Sequence, residues 1–137
     1  MVRTAELRER FASRPVARLA TVRPDGAPHL VPVVFATSGD TVWLAVDAKP
    51  KRTTRLQRLT NLRHDPRCAL LADHYEEDWS RLWWVRADGV ATVVDEPGPD
   101  HPGVTALVER HPQYRVQPPA GPLVVVRVER WSGWSST

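Results

Sequence analysis

Leu19-Ala20-Thr21-Val22-Arg23-Pro24-Asp25-Gly26-Ala27-Pro28-His29-Leu30-Val31-Pro32-Val33 reads as two apolar strands joined by a tight turn. Pro24 breaks the first strand, and the Asp25-Gly26 pair suits the backbone of a short hairpin. The strands are expected over 16–23 and 28–36. Pro32 inside the returning strand predicts a sheet edge or a bulge, because proline has no N–H for a central ladder. Working outward, Ser38-Gly39-Asp40 is a second turn leading into a strand over 41–46, which makes three consecutive antiparallel strands. Upstream, Thr4 is a candidate cap for a short helix in which Glu6 occupies the first turn, Leu7 and Phe11 share a face, and Pro15 follows the end.

Downstream, Thr53 or Thr54 is the expected cap of a helix with Leu56, Leu59 and Leu62 at spacing three, ended by Asp65-Pro66. A strand over 68–73, an acidic loop over 74–78 and a longer strand over 81–94 follow, with Gly89 a candidate bulge. Seven of the 13 prolines fall between Pro97 and Pro122. Within that stretch only 103–111 reads as helix. Val124, Val126 and Val128 alternate with Arg127 and Glu129 in a last strand over 123–131. Six or so strands with closely spaced turns and small helices predict one mainly β domain over 1–137, a closed or partly closed barrel. A barrel of this size is filled by side chains, so ligands are expected outside it or at a dimer seam.

The 137 residues hold 42% hydrophobic and 26% charged residues, ordinary globular usage that argues against a disordered tail or a coiled coil. The longest apolar run, 30–36, is far short of the roughly 20 residues of a membrane span. The arginine-rich first residues have no apolar signal region, so a cytoplasmic setting is expected. Net charge is +3, but from Lys49 to Arg67 seven basic residues meet a single acid, Asp65. Positive charge so concentrated points to a bound anion, and the competing explanation is a solvated cationic helix face.

Catalytic motifs are lacking. There is no Gly-rich phosphate loop, no HExxH, no GxSxG, and no Cys or His pairing at metal spacing, so no metal site is expected. Cys68 opens an apolar run and reads as a core thiol. Any redox chemistry would have to come from a bound cofactor. Lys51, Arg52 and Arg55 fall where a loop becomes a helix, where side-chain charge and free N–H groups can converge on a phosphate. Six tryptophans are the second signal. Trp83 and Trp84 are adjacent and must face opposite sides of a strand, one filling the barrel and the other needing cover outside it.

As a set, the hairpin, the basic loop followed by Asn61-Leu62-Arg63-His64-Asp65-Pro66-Arg67, Asp78-Trp79-Ser80 and Ala87-Asp88-Gly89 resemble the pyridoxamine 5′-phosphate oxidase-like proteins. The resemblance spans most of residues 5–131. Within that superfamily the chain is most similar to the branch that uses the deazaflavin coenzyme F420, the flavin/deazaflavin oxidoreductase B group. The resemblance implies a six-stranded antiparallel split β-barrel and a homodimer with two cofactor sites at its seam. It implies that Lys51, Arg52 and Arg55 hold the cofactor phosphate, with Arg58 and Asn61 in support. The backbone of Val31, Pro32 and Val33 would lie along the ring system with His29 nearby, and Trp79 would approach from the partner subunit. The implied activity is F420-dependent hydride transfer to a small electron-poor acceptor. An FMN-binding oxidase or flavin reductase of the same fold, and a non-catalytic cofactor-binding protein, are the alternatives. A pyridoxamine 5′-phosphate oxidase proper is less expected, because no second basic site for a substrate phosphate is apparent. A nucleic-acid-binding barrel is disfavoured because no aromatic interrupts the basic cluster from Lys49 to Arg67.

Overall fold

The computed structural model describes residues 3–46 and 52–137, with side chains in the first helix after the basic loop described from Gln57 onward. The sequence folds as α1 (Thr4–Ala12), β1 (Val16–Val22), β2 (Pro28–Val34), β3 (Ala36–Ser38), β4 (Thr41–Ala45), α2 (Arg52–His64), β5 (Arg67–His74), a single 3-10 turn (Trp79–Arg81), β6 (Trp83–Val94), α3 (Pro102–Arg110), α4 (Pro112–Val116) and β7 (Leu123–Ser135). All strand pairs are antiparallel, in the order β2-β1-β5-β6-β7-β4-β3.

This is the expected mainly β split barrel, with seven strands where six were predicted. The extra strand comes from a break at Phe35. The segment read as one strand over 28–36 pairs with β1 as far as Val34 and then turns to pair with β4 from Ala36. Because β2 and β3 are the two ends of the strand order, the break curls the sheet upon itself. Phe35 is buried at the corner, its ring 4.8 Å from that of Phe11, which in turn meets Trp131 edge-on at 5.3 Å. Burying such rings contributes most of what holds a small barrel closed, and truncating one costs about 3–5 kcal/mol.

The hairpin turn forms as read. Gly26 has φ +89°, and Arg23 N–H donates to Ala27 O at 2.8 Å. Gly39 (φ +57°) serves the second turn in the same way. There Asp40 Oδ1 accepts from Trp131 Nε1 at 2.9 Å and Arg8 Nε at 2.8 Å, tying α1 and β7 to the turn. These bonds, Trp131's first, hold the Asp40 carboxyl below its ordinary value. The predicted bulge is present as a register shift between Asp88 and Gly89. A Cβ at Gly89 would lie 2.4 Å from the Arg127 carbonyl oxygen, so the close approach of β7 requires glycine.

Three local expectations are corrected. Thr4 is inside α1, whose cap position is Arg3 and carries no side-chain bond. Thr53 and Thr54 likewise lie within α2, which already begins at Arg52. The proline-rich stretch holds a second helix, α4, started by Pro112 at a position where the missing N–H costs nothing.

Inward positions of β1 and β2 pair as Ala17 with Val33, Leu19 with Val31 and Thr21 with His29. The last pair lies at a polar end of the core. There the fully buried Asn61 donates from Nδ2 to Thr21 Oγ1 at 3.0 Å and accepts from Gln57 Nε2 at 2.7 Å. Together with buried Leu59 and Leu62, this bond fastens α2 onto β1.

A cleft at the split of the barrel

The curl leaves a gap between the end of β2 and the end of β4, and α3 and α4 wall it on the far side. Gly103 makes this wall possible: a Cβ there would sit 2.5 Å from the Trp43 ring, so α3 packs directly on β4. Its N-terminus is capped by His101, whose Nδ1 accepts from Gly103 N–H at 3.0 Å. At the other end His111 is buried and donates from Nε2 to the Phe35 carbonyl at 2.6 Å. A carbonyl only accepts, so this bond fixes the proton on Nε2. The same residue stacks edge-on with Tyr114 at 5.9 Å. His111 therefore ties the α3–α4 corner to the break that curls the sheet.

The resulting cleft has a volume of about 780 Å³. Pro32, Val33 and Val34 line one side, Ala45 and Val46 the floor, and His111, Tyr114 and Gln117 the opposite wall. Because β2 is an edge strand, its backbone presents polar groups toward this gap, as the prolines in it anticipated. Arg58 enters from α2. Its Nε is enclosed and meets no hydrogen-bond partner among the described residues. Burial pushes the guanidinium below its ordinary value, opposed by the neighbouring Tyr114. The group stays protonated, so it is a partly desolvated cation beside the Tyr114 phenol. Arg110 stands at the rim, and among the described residues no acid lines the cleft.

Of the residues singled out from the sequence, Pro32, Val33 and Arg58 come together here. Val31 points inward against the core, and His29 sits beside Thr21 with an enclosed, unpartnered Nδ1; neither lines the cleft. Asn61 is sealed in the interior, where it holds α2 against β1. Trp79 stands 77% exposed on the 3-10 turn that Asp78 caps through Ser80 N–H at 3.1 Å. Lys51 lies outside the described residues, as do the side chains of Arg52 and Arg55. His111, Tyr114 and Gln117 were not anticipated. The available signal was Pro112 as a helix start, with His111 and Tyr114 three apart across it.

A second feature lies on the outer face of β2, β1, β5 and β6. Leu30 (67% exposed), Leu71, Tyr75 and Trp84 border an apolar groove of about 460 Å³. Trp83, on the opposite side of β6, packs against the core, as alternation required. Cys68 is buried and its thiol is pushed up to about 12, first by burial and then by Asp88, which makes it inert near neutrality. Among the described residues no group of three potential metal ligands occurs, and no helix is long and apolar enough to cross a membrane.

This geometry can be set beside known proteins. A family model described as pyridoxamine 5′-phosphate oxidase matches residues 4–135. The chain belongs to the pyridoxamine 5′-phosphate oxidase family. Among solved structures it is similar to the conserved hypothetical protein Rv2991 of Mycobacterium tuberculosis, with 28% identity, 99% of this chain and 86% of that chain covered, and a TM-score of 0.78. A protein described as an F420 reductase matches at 24% identity over 90% of this chain and 94% of its own, with a TM-score of 0.64. A heme binding protein of Mycobacterium smegmatis matches at 22% identity over 99% of this chain and 60% of its own, with a TM-score of 0.71. Likeness at the last two levels shows the split-barrel fold alone. Among curated proteins no sequence matches.

Proposed function

We propose that this member of the pyridoxamine 5′-phosphate oxidase family is an F420-dependent oxidoreductase that works in the cleft between β2 and the α3–α4 wall. The observation that carries the reading is the cleft itself: a largely apolar lining, an open strand edge, the Arg58 and Arg110 side chains and, among the described residues, no acid. A planar, anionic cofactor fits that lining. When bound, the deazaflavin supplies hydride from C5 to an electron-poor acceptor. The chain's own residues need only bind, orient and exclude water. In this reading Lys51, Arg52 and Arg55 hold the phosphate at the start of α2, and Arg58 adds charge from within the cleft. Asn61 keeps the helix in register on β1, and the β2 edge from Val31 to Val33, with His29 behind it, supports the ring.

The reading includes a homodimer, formed through the apolar groove on the outer sheet face. Arg18 and Asp73 flank that groove. A two-fold axis can set each Arg18 against the other copy's Asp73. Trp79, exposed here, then reaches toward the partner's cofactor. Leu71→Glu should convert the dimer to monomer in sedimentation, and a wild-type monomer would contradict this part of the reading.

Changing Lys51 and Arg55 together to Ala should weaken cofactor binding at least tenfold with the fold intact; unchanged affinity would remove the phosphate site. FMN in the same cleft is the second reading, since the same lining accepts a flavin phosphate and ring.

A further inference from the structure

A His-Pro pair starts each of the last two helices. His101-Pro102-Gly103 opens α3 and His111-Pro112-Gln113 opens α4, with the histidine at the cap position both times. At the first, Nδ1 closes the cap by accepting from Gly103 N–H at 3.0 Å. At the second, the side chain makes no cap bond. That ring is held another way: Nε2 donates to the Phe35 carbonyl at 2.6 Å, and the ring meets Tyr114 edge-on. With its proton on Nε2, the imidazole has one polar atom left, the Nδ1 lone pair, and no described residue donates to it. His111 is only 7% exposed, and it lines the cleft. A buried acceptor left unused is unfavourable, and a donor on a molecule in the cleft would satisfy it. Arg58 and Arg110 offer only donors there, suited to the oxygens of a ligand, whereas a ligand N–H needs an acceptor.

We infer that His111 Nδ1 accepts a hydrogen bond from the pyrimidinedione N3–H of the cofactor ring, which adds to the cofactor site a residue that the sequence reading did not include. The inference rests on the proposed cofactor reading for the identity of the ring. That N–H is the only one on the oxidised ring of a deazaflavin or a flavin, so a bond to it sets which edge of the ring meets the α3–α4 wall.

The test is fluorescence titration of the purified full-length protein with F420, with FMN and N3-methyl-FMN, and with lumiflavin and 3-methyllumiflavin, which lack the phosphate. Within each pair the N3–H compound should bind about tenfold more tightly than its methylated partner. His111→Gln can still donate to Phe35 through Nε2 but has no acceptor at the Nδ1 position. It should lose the preference at a melting temperature close to wild type. His111→Asn places an acceptor near the Nδ1 position but cannot reach Phe35, so it should melt lower and keep the preference. If it fails to fold, the Gln variant decides. Equal affinity within both pairs on the wild-type protein would overturn the inference, as would a preference that survives in His111→Gln or the failure of all four flavins to bind. Tight binding of F420 or FMN with no N3–H preference leaves the cofactor reading standing and removes the inference. A preference within the lumiflavin pair, with neither F420 nor FMN bound, leaves the His111 bond standing and removes the reading.

Discussion

Thr21→Val probes the joint that positions α2. The substitution replaces a hydroxyl with a methyl of nearly the same volume at a residue only 3% exposed, so packing changes little. What is lost is the acceptor for Asn61 Nδ2, now 3.0 Å away. Asn61 keeps its bond from Gln57 at 2.7 Å, but one N–H of its fully buried carboxamide is left unsatisfied. An unpaired buried donor costs about 1–3 kcal/mol. The extra buried methyl offsets part of this, leaving an expected loss of about 1–2 kcal/mol. Urea unfolding followed by tryptophan fluorescence measures it as a lowered midpoint at unchanged slope. Because α2 carries the proposed phosphate residues, cofactor affinity should fall as well, although Thr21 does not line the cleft. A midpoint indistinguishable from wild type would refute the reasoning that this bond anchors the helix. Loss of stability with cofactor affinity untouched would uncouple the anchor from the site.

Asp65 accepts from Arg67 through its backbone N–H at 3.1 Å and its guanidinium at 2.7 and 3.0 Å, which lowers its carboxyl from 3.8 to about 2. A depressed carboxylate contributes in full above its ordinary value and loses that contribution as pH falls toward the folded value. The stability difference between wild type and Asp65→Asn should therefore shrink between pH 3.8 and about 2, and a constant difference across that window would contradict the assignment. With its thiol raised to about 12, Cys68 should resist an aromatic disulfide reagent at pH 8 in the native protein and react promptly in denaturant. Rapid native labelling would show that β5 opens far more readily than its place in the core implies.

The hairpin, the bulge at Gly89 and the opposed tryptophans were legible because each follows from a rule acting within one or two strands. Asp25-Gly26 calls for a positive φ, and alternation sends Trp83 and Trp84 to opposite faces. The break at Phe35 was not legible. Nothing local stops the strand there; the change of partner from β1 to β4 is imposed by closure of the sheet. The helix caps misled for a related reason: threonine is a good cap, but α1 starts at Thr4 itself and α2 starts at Arg52, before Thr53 and Thr54. The basic cluster was plain from charge alone, yet the partial burial of Arg58 was hidden. The wall it meets at the cleft, Tyr114 and His111, comes from more than 50 residues away in the chain. The α4 helix that carries Tyr114 is five residues long and starts at a proline, too short to show a helical period.

The most direct test of the account is a titration of the purified protein with coenzyme F420, FMN and hemin in parallel, following tryptophan and cofactor fluorescence and the heme absorption band. The account predicts micromolar or tighter binding of F420, with FMN weaker and hemin weaker still. Preference for FMN would move the protein to the flavin reading, and binding of hemin alone, or of none of the three, would contradict the proposed oxidoreductase.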